Sequence, residues 1–184
     1  MVGMTVVERH AGPWTRAARD ALPDDGRRYE LLDGVLVVTP APSLRHQGVV
    51  TRLLTTLVAA CPDELRVFPA PADVVLGDDT VVQPDVLVAR AIDTASTALE
   101  ARPVLAVEVL SPSNRGYDLV DKWERYQRAG IPSYWVIDPD VPELVAWELQ
   151  DGEYIEVARV RGGEPFEAER PFPVTVVPAE VARP

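Results

Sequence analysis

One lysine stands in a chain of 184 residues whose other 17 basic side chains are all arginine. Lys122 lies 14 residues after Glu108, and Glu108 lies 23 residues after Asp85. Glu108 is the one charged residue in the apolar run Pro103–Leu110, where an ionised carboxylate costs several kcal/mol unless a cation compensates it. Asp85 interrupts another apolar run, Val81–Ala89, directly after Pro84. Two such carboxylates can share a divalent cation. With no histidine or cysteine beside them, hard oxygen ligands favour Mg²⁺ or Mn²⁺ over zinc. A metal so held polarises a phosphate and lowers the pKa of a bound water, while a neighbouring lysine orients that water or stabilises developing negative charge. Hydrolysis of a phosphodiester needs this combination. The plain alternative pairs Lys122 with Asp118 on a solvated helix face, leaves Asp85 at a turn or strand end, and gives Glu108 an arginine partner.

These residues need a scaffold, and the pattern of the chain predicts one. Tyr29–Leu32 and Val35–Val38 flank Asp33-Gly34, a pair that readily adopts the positive φ angles of a two-residue hairpin turn. From the N-cap residue Ser43, the apolar positions Val49, Val50, Leu53, Leu54, Leu57 and Val58 repeat with helical spacing as far as Cys61. Short strands are expected at 66–69, 73–76, 81–89 and 103–110, the last buried on both faces. A helix over 117–129 ends at Gly130 and Pro132, with Leu119, Trp123 and Tyr126 as its inner stripe. At 100° per residue Lys122 falls at the edge of that stripe, within reach of the strand ends. A strand at 133–137 follows, so strand, helix and strand form a parallel crossover. Strands at 144–149, 154–160 and 174–177 complete an α/β sandwich with a mixed central sheet, and a possible short helix over 15–22 precedes it.

Length is sufficient for one domain, read as residues 28–184 behind an N-terminal extension of residues 1–27. The lone Cys61 excludes an internal disulfide and a cysteine-rich zinc site. No apolar segment approaches a membrane span and the first residues lack a leader pattern, so a cytoplasmic protein without a membrane partner is expected. A net charge of −11 opposes nonspecific binding of nucleic acid through overall charge, though not a local basic groove.

The segments Arg28–Gly34, Pro40–His46, Pro84–Val86, Val107–Ser113, Asp118–Lys122, Tyr126–Gly130 and Tyr134–Pro139 resemble, in that order, the Uma-type family of bacterial restriction-endonuclease-like proteins, a branch of the PD-(D/E)XK nuclease superfamily. The resemblance covers roughly Arg28 to Leu149. It implies a restriction-endonuclease-like fold with added C-terminal hairpins, Asp85 and Glu108 as ligands of Mg²⁺ or Mn²⁺ with the carbonyl of Val109 as a third, and DNA as substrate. Lys122 then serves as the superfamily's lysine. Leu110 occupies the place, two residues after Glu108, where the usual pattern has that lysine. Glu30 matches the acidic residue of the family's first motif, either as a further ligand or as a solvent-facing hairpin carboxylate.

His46 is a candidate for phosphate binding or proton transfer, against a helix-start histidine making local hydrogen bonds. Arg115 and Arg125, together with Arg128, Arg45 and Arg52, are the arginines best placed for phosphate contacts. Trp123, Trp135 and Trp147 read as core or dimer-interface aromatics. No helix-turn-helix, zinc finger or Gly-rich phosphate loop accompanies them. The expectation is therefore a metal-dependent endodeoxyribonuclease, homodimeric, set against a non-catalytic binding or dimerisation module of the same fold.

Overall fold

The computed structural model describes residues 8–10, 12–39, 41–90, 98–111 and 117–183. Strand β1 (Glu8–His10) and helix α1 (Arg16–Asp20) come first, with the Thr15 hydroxyl capping α1 by accepting from the Ala18 N–H. Strands β2 (Arg28–Leu32) and β3 (Val35–Thr39) form the expected hairpin. Asp33 and Gly34 take φ angles of 46° and 77°, the pair of positive values that matches a tight turn to the strand twist.

Helix α2 (Leu44–Ala60) begins at Ser43, whose hydroxyl accepts from the His46 N–H. Its buried face is His46, Val49, Val50, Leu53 and Leu57. Val58, expected on that face, is exposed at the far end of the helix.

Strands β4 (Leu65–Pro69) and β5 (Asp73–Gly77) follow. The single strand expected over 81–89 is two strands, β6 (Thr80–Val82) and β7 (Val86–Arg90). Pro84 lacks an N–H for ladder bonding, and the chain changes sheet there. After β8 (Ala98–Leu99) comes β9 (Leu105–Val109), buried throughout. The helix expected over 117–129 opens with a wide π-type turn, Tyr117–Lys122, before it narrows to α3 (Trp123–Ala129). Gly130, at φ 76°, closes α3 in the left-handed conformation a C-cap requires. The remaining elements are β10 (Ser133–Asp138), β11 (Glu143–Gln150), β12 (Glu153–Arg161), β13 (Phe166–Ala168), β14 (Val174–Val176) and α4 (Pro178–Val181). Neither β13 nor α4 has a periodic signature long enough to announce it.

The strands form two six-stranded sheets, in the orders β1-β3-β2-β6-β5-β8 and β12-β11-β10-β9-β7-β4, with β13 and β14 as a separate pair. In the second sheet β9 and β10 are parallel, as the intervening helix requires, and their neighbours are antiparallel. The period of two in β7 and β9 divides the core. Val86, Val88, Leu105, Val107 and Val109 face one cluster, with α2, Trp135 and the C-terminal elements. Leu87, Ala89 and Ala106 face the other, shared with Leu32 and Val37 of the first sheet and with Tyr126 of α3. Glu108 lies on the strand face of Ala106, where the two sheets and α3 meet.

Candidate active site

Four chain segments deliver polar side chains to that seam. Glu30 comes from β2 of the first sheet, Asp85 from the crossover between β6 and β7, Glu108 from β9 of the second sheet, and Lys122 from the end of the wide turn. All four are buried, at 0, 2, 1 and 1% exposure. Continuing the β7–β9 register, in which Val86 faces Val107, sets Asp85 opposite Glu108.

Lys122 sits between two carboxylates, with Nζ 2.9 Å from Glu30 Oε1 and 3.0 Å from Glu108 Oε1. A solvated surface lysine is therefore not what the fold makes of it. The Tyr126 hydroxyl donates to the same Glu108 oxygen over 2.7 Å. Glu30 Oε1 also accepts from the Gln83 backbone N–H at 2.6 Å, which ties the first sheet to the crossover. Its other oxygen, Oε2, is buried with no hydrogen-bond partner. The hairpin alternative for Glu30, a solvent-facing carboxylate, does not hold.

Asp85 has a different set of neighbours. Its Oδ2 accepts from the Val109 backbone N–H at 2.8 Å and lies 3.1 Å from His46 Nε2. Arg28 Nη1 donates to Oδ1 over 3.2 Å. The other end of the Arg28 guanidinium donates to the Gln83 carbonyl and lies 3.6 Å from Glu30 Oε1.

These environments separate the three acids. Burial raises the Asp85 carboxyl, but the His46 hydrogen bond and the Arg28 charge outweigh it and hold the group well below the usual carboxylate range. Burial likewise opposes ionisation of Glu30, and Lys122 and Arg28 reverse the balance, leaving it below its ordinary value. For Glu108 burial wins. With Asp85 and Glu30 adding repulsion that Lys122 only partly offsets, its carboxyl is pushed up to about 7. Tyr126 is driven well above its ordinary range by burial and by Glu108, so it remains a donor.

Three buried carboxylates face two fixed cations, Arg28 and Lys122, and the His46 imidazole lies against Asp85. Contrary to the sequence expectation a histidine, His46, does stand beside Asp85, but the carboxylates are hard oxygen donors and Glu30 Oε2 is an orphaned acceptor, both of which fit Mg²⁺ or Mn²⁺. As they stand, the carboxylates are turned onto their ion-pair partners, and among the described residues no three His, Cys, Asp or Glu side chains converge as a metal-holding group.

The candidate phosphate contacts are distributed otherwise. His46 is turned inward onto Asp85 at 6% exposure, besides its backbone bond to Ser43. Arg125 donates to Asp33 Oδ2 at 2.7 Å and to the Asp121 carbonyl, and Arg128 reaches Asp33 Oδ1 at 3.0 Å. The two arginines thus clamp α3 to the hairpin turn, Arg125 largely buried and Arg128 exposed. Arg45 pairs with Asp140 Oδ1 at 2.6 Å, and Arg52 reaches the Val181 carbonyl. Arg115 and the side chain of Asp118 lie outside the described residues. Of the tryptophans at 123, 135 and 147, Trp135 is in the core, while Trp123 and Trp147 are partly buried against the tyrosines of the second cluster.

Three members of the cluster escaped the sequence reading, though each left a trace. Arg28 is two residues before Glu30, hence on the same strand face. Tyr126 is one helical turn after Lys122. Gln83 is a polar residue in an apolar run, directly before the proline that breaks it.

A family model described as "Putative restriction endonuclease", Uma2, matches residues 18–181 of the chain. A crystal structure described as "a putative nuclease belonging to DUF820", from Anabaena variabilis ATCC 29413, superposes with a TM-score of 0.73 at 18% sequence identity, over 92% of this chain and 98% of that one. At that identity the likeness establishes the fold, which is restriction-endonuclease-like. No curated protein matches the chain.

Proposed function

Since this chain belongs to the Uma2 family of restriction-endonuclease-like nucleases, we propose that the cluster of Asp85, Glu108, Lys122 and Glu30 is the active site of a divalent-metal-dependent endonuclease acting on DNA. The observation that carries this reading is the meeting of three buried carboxylates at one seam, with Lys122 Nζ about 3 Å from two of them. That arrangement disfavours the isolated protein and favours a bound dication.

Asp85 and Glu108 would hold Mg²⁺ or Mn²⁺, with Glu30 and the carbonyl of Val109 as further oxygens. When bound, the metal polarises the phosphate and lowers the pKa of a coordinated water. Lys122 holds its ammonium beside Glu108, where it orients the attacking water and stabilises negative charge developing on phosphorus-bound oxygen. His46 and the Val109 N–H fix the Asp85 carboxylate in orientation. Arg115 and Arg125 are proposed to meet the flanking phosphates, Arg125 by exchanging its bond to Asp33.

Cleavage of supercoiled plasmid and of single-stranded DNA, with Mg²⁺ or Mn²⁺, tests the proposal on wild type, Glu108→Gln and Lys122→Met prepared identically. Metal-dependent cutting lost in both variants supports it. An inactive wild type that still binds DNA favours the non-catalytic module, a reading to which the closed ion pairs of the cluster lend weight.

Among the described residues no helix is long and apolar enough to cross a membrane. A homodimer is part of the proposal. Strand β12 is nine residues long at the edge of its sheet, with Ile155 and Val157 exposed, and sedimentation velocity measures whether it recruits a second copy.

A further inference from the structure

We infer that Arg28 is an exchangeable counter-cation of the metal site: its guanidinium holds Asp85 and approaches Glu30, and a divalent ion that enters displaces it from Asp85. The inference rests on the metal-site reading above and concerns a residue that reading gives no part.

Charge counting motivates it. Glu30, Asp85 and Glu108 carry three negative charges when ionised. Lys122 and a dication together supply three positive charges, so the cluster is neutral with the metal and Lys122 alone. Retaining Arg28 leaves one excess positive charge beside the ion, which the guanidinium repels. Of the two resident cations, Arg28 is the one able to leave. Lys122 is 1% exposed and pinned between two carboxylates, whereas the Arg28 side chain is 21% exposed and reaches the solvent boundary.

Its contacts also lie where a metal competes. Nη1 is 3.2 Å from Asp85 Oδ1, and Nη2 is 3.6 Å from Glu30 Oε1, the latter beyond hydrogen-bond range. Each carboxylate keeps another donor when the guanidinium withdraws. Asp85 retains the Val109 N–H and His46, and Glu30 retains Lys122 and the Gln83 N–H.

Mn²⁺ titration by calorimetry on the full chain, comparing wild type with Arg28→Met, Arg28→Lys and Glu108→Gln, tests the exchange. Arg28→Met is expected to bind Mn²⁺ about fivefold more tightly, the scale of one partly exposed ion pair. Arg28→Lys falls between it and wild type, because an ammonium cannot span Asp85 and the Gln83 carbonyl together. In wild type, the Arg28 Nε–H resonance, identified by its absence from Arg28→Met and from Arg28→Lys, is expected to shift on saturation with Mg²⁺. Should Arg28→Met fail to fold, Arg28→Lys and the resonance carry the test.

Equal or weaker affinity in the folded Arg28 variants, or an unmoved resonance while Glu108→Gln abolishes binding, overturns the exchange and leaves the metal site intact. No Mn²⁺ binding by wild type, or binding unchanged in Glu108→Gln, overturns both.

Discussion

Asp85 and Glu108 face one another across adjoining strands, equally buried, yet the fold treats their charges in opposite ways. Asp85 sits at a chain crossover where a backbone N–H, a histidine and an arginine converge on it. Glu108 sits in β9, whose next residue, Val109, gives its backbone N–H to Asp85, and it receives one shared ammonium and one tyrosine hydroxyl. Burial alone therefore does not decide ionisation. The supply of partners does, and Asp85 has more of them than Glu108.

The strongest perturbation of this contrast is Lys122→Met. It strands two buried carboxylates at once and is expected to destabilise the metal-free protein by about 3–5 kcal/mol, measured by urea unfolding. A loss under about 1 kcal/mol would mean that the lysine is not the keystone of the cluster.

The paired substitutions Asp85→Asn and Glu108→Gln come next, with opposite signs. Asp85→Asn removes an anion that its donors favour, at a cost of about 2 kcal/mol. Glu108→Gln removes one that its surroundings oppose, while keeping an acceptor for Tyr126, and is expected to raise the metal-free Tm. Equal signs would break the comparison.

The pH dependence follows from the same difference. Glu108 titrates near 7 when folded and near 4.5 when unfolded, so between those values the unfolded chain holds fewer protons and stability falls as pH rises. Above pH 7 its unfavourable contribution is complete. Asp85 and Glu30 are held below their ordinary values, so their stabilisation is present above the unfolded carboxylate range and is lost as pH falls from there through their lowered folded values. Chemical denaturation of metal-free protein between pH 4.5 and 7 is expected to show a decline that Glu108→Gln abolishes. A flat profile in wild type would contradict it.

The smallest effect belongs to the exposed clamp on Asp33. Arg128→Ala is expected to cost less than about 0.5 kcal/mol, because its side chain is 65% exposed and water screens the pair. A thermal melt indistinguishable from wild type is the expected result.

Local chemistry alone determined much of this molecule. The Asp33-Gly34 turn, the Ser43 cap, the Gly130 stop and the parallel relation of β9 to β10 follow from dihedral preferences, capping and periodicity, which act over a few residues. The candidate residues Asp85 and Glu108 were legible because each places charge in an otherwise apolar pattern, and Lys122 because it is the one lysine of the chain. Tertiary structure alone decided the rest. It split the strand at Pro84 between two sheets, turned Glu30 from a hairpin position into a buried partner of Lys122, and directed His46 onto Asp85. It also brought Arg125 onto a turn 92 residues away. Those outcomes depend on which faces meet across the seam of two sheets, and a periodic pattern records that a side chain is buried without recording what it is buried against.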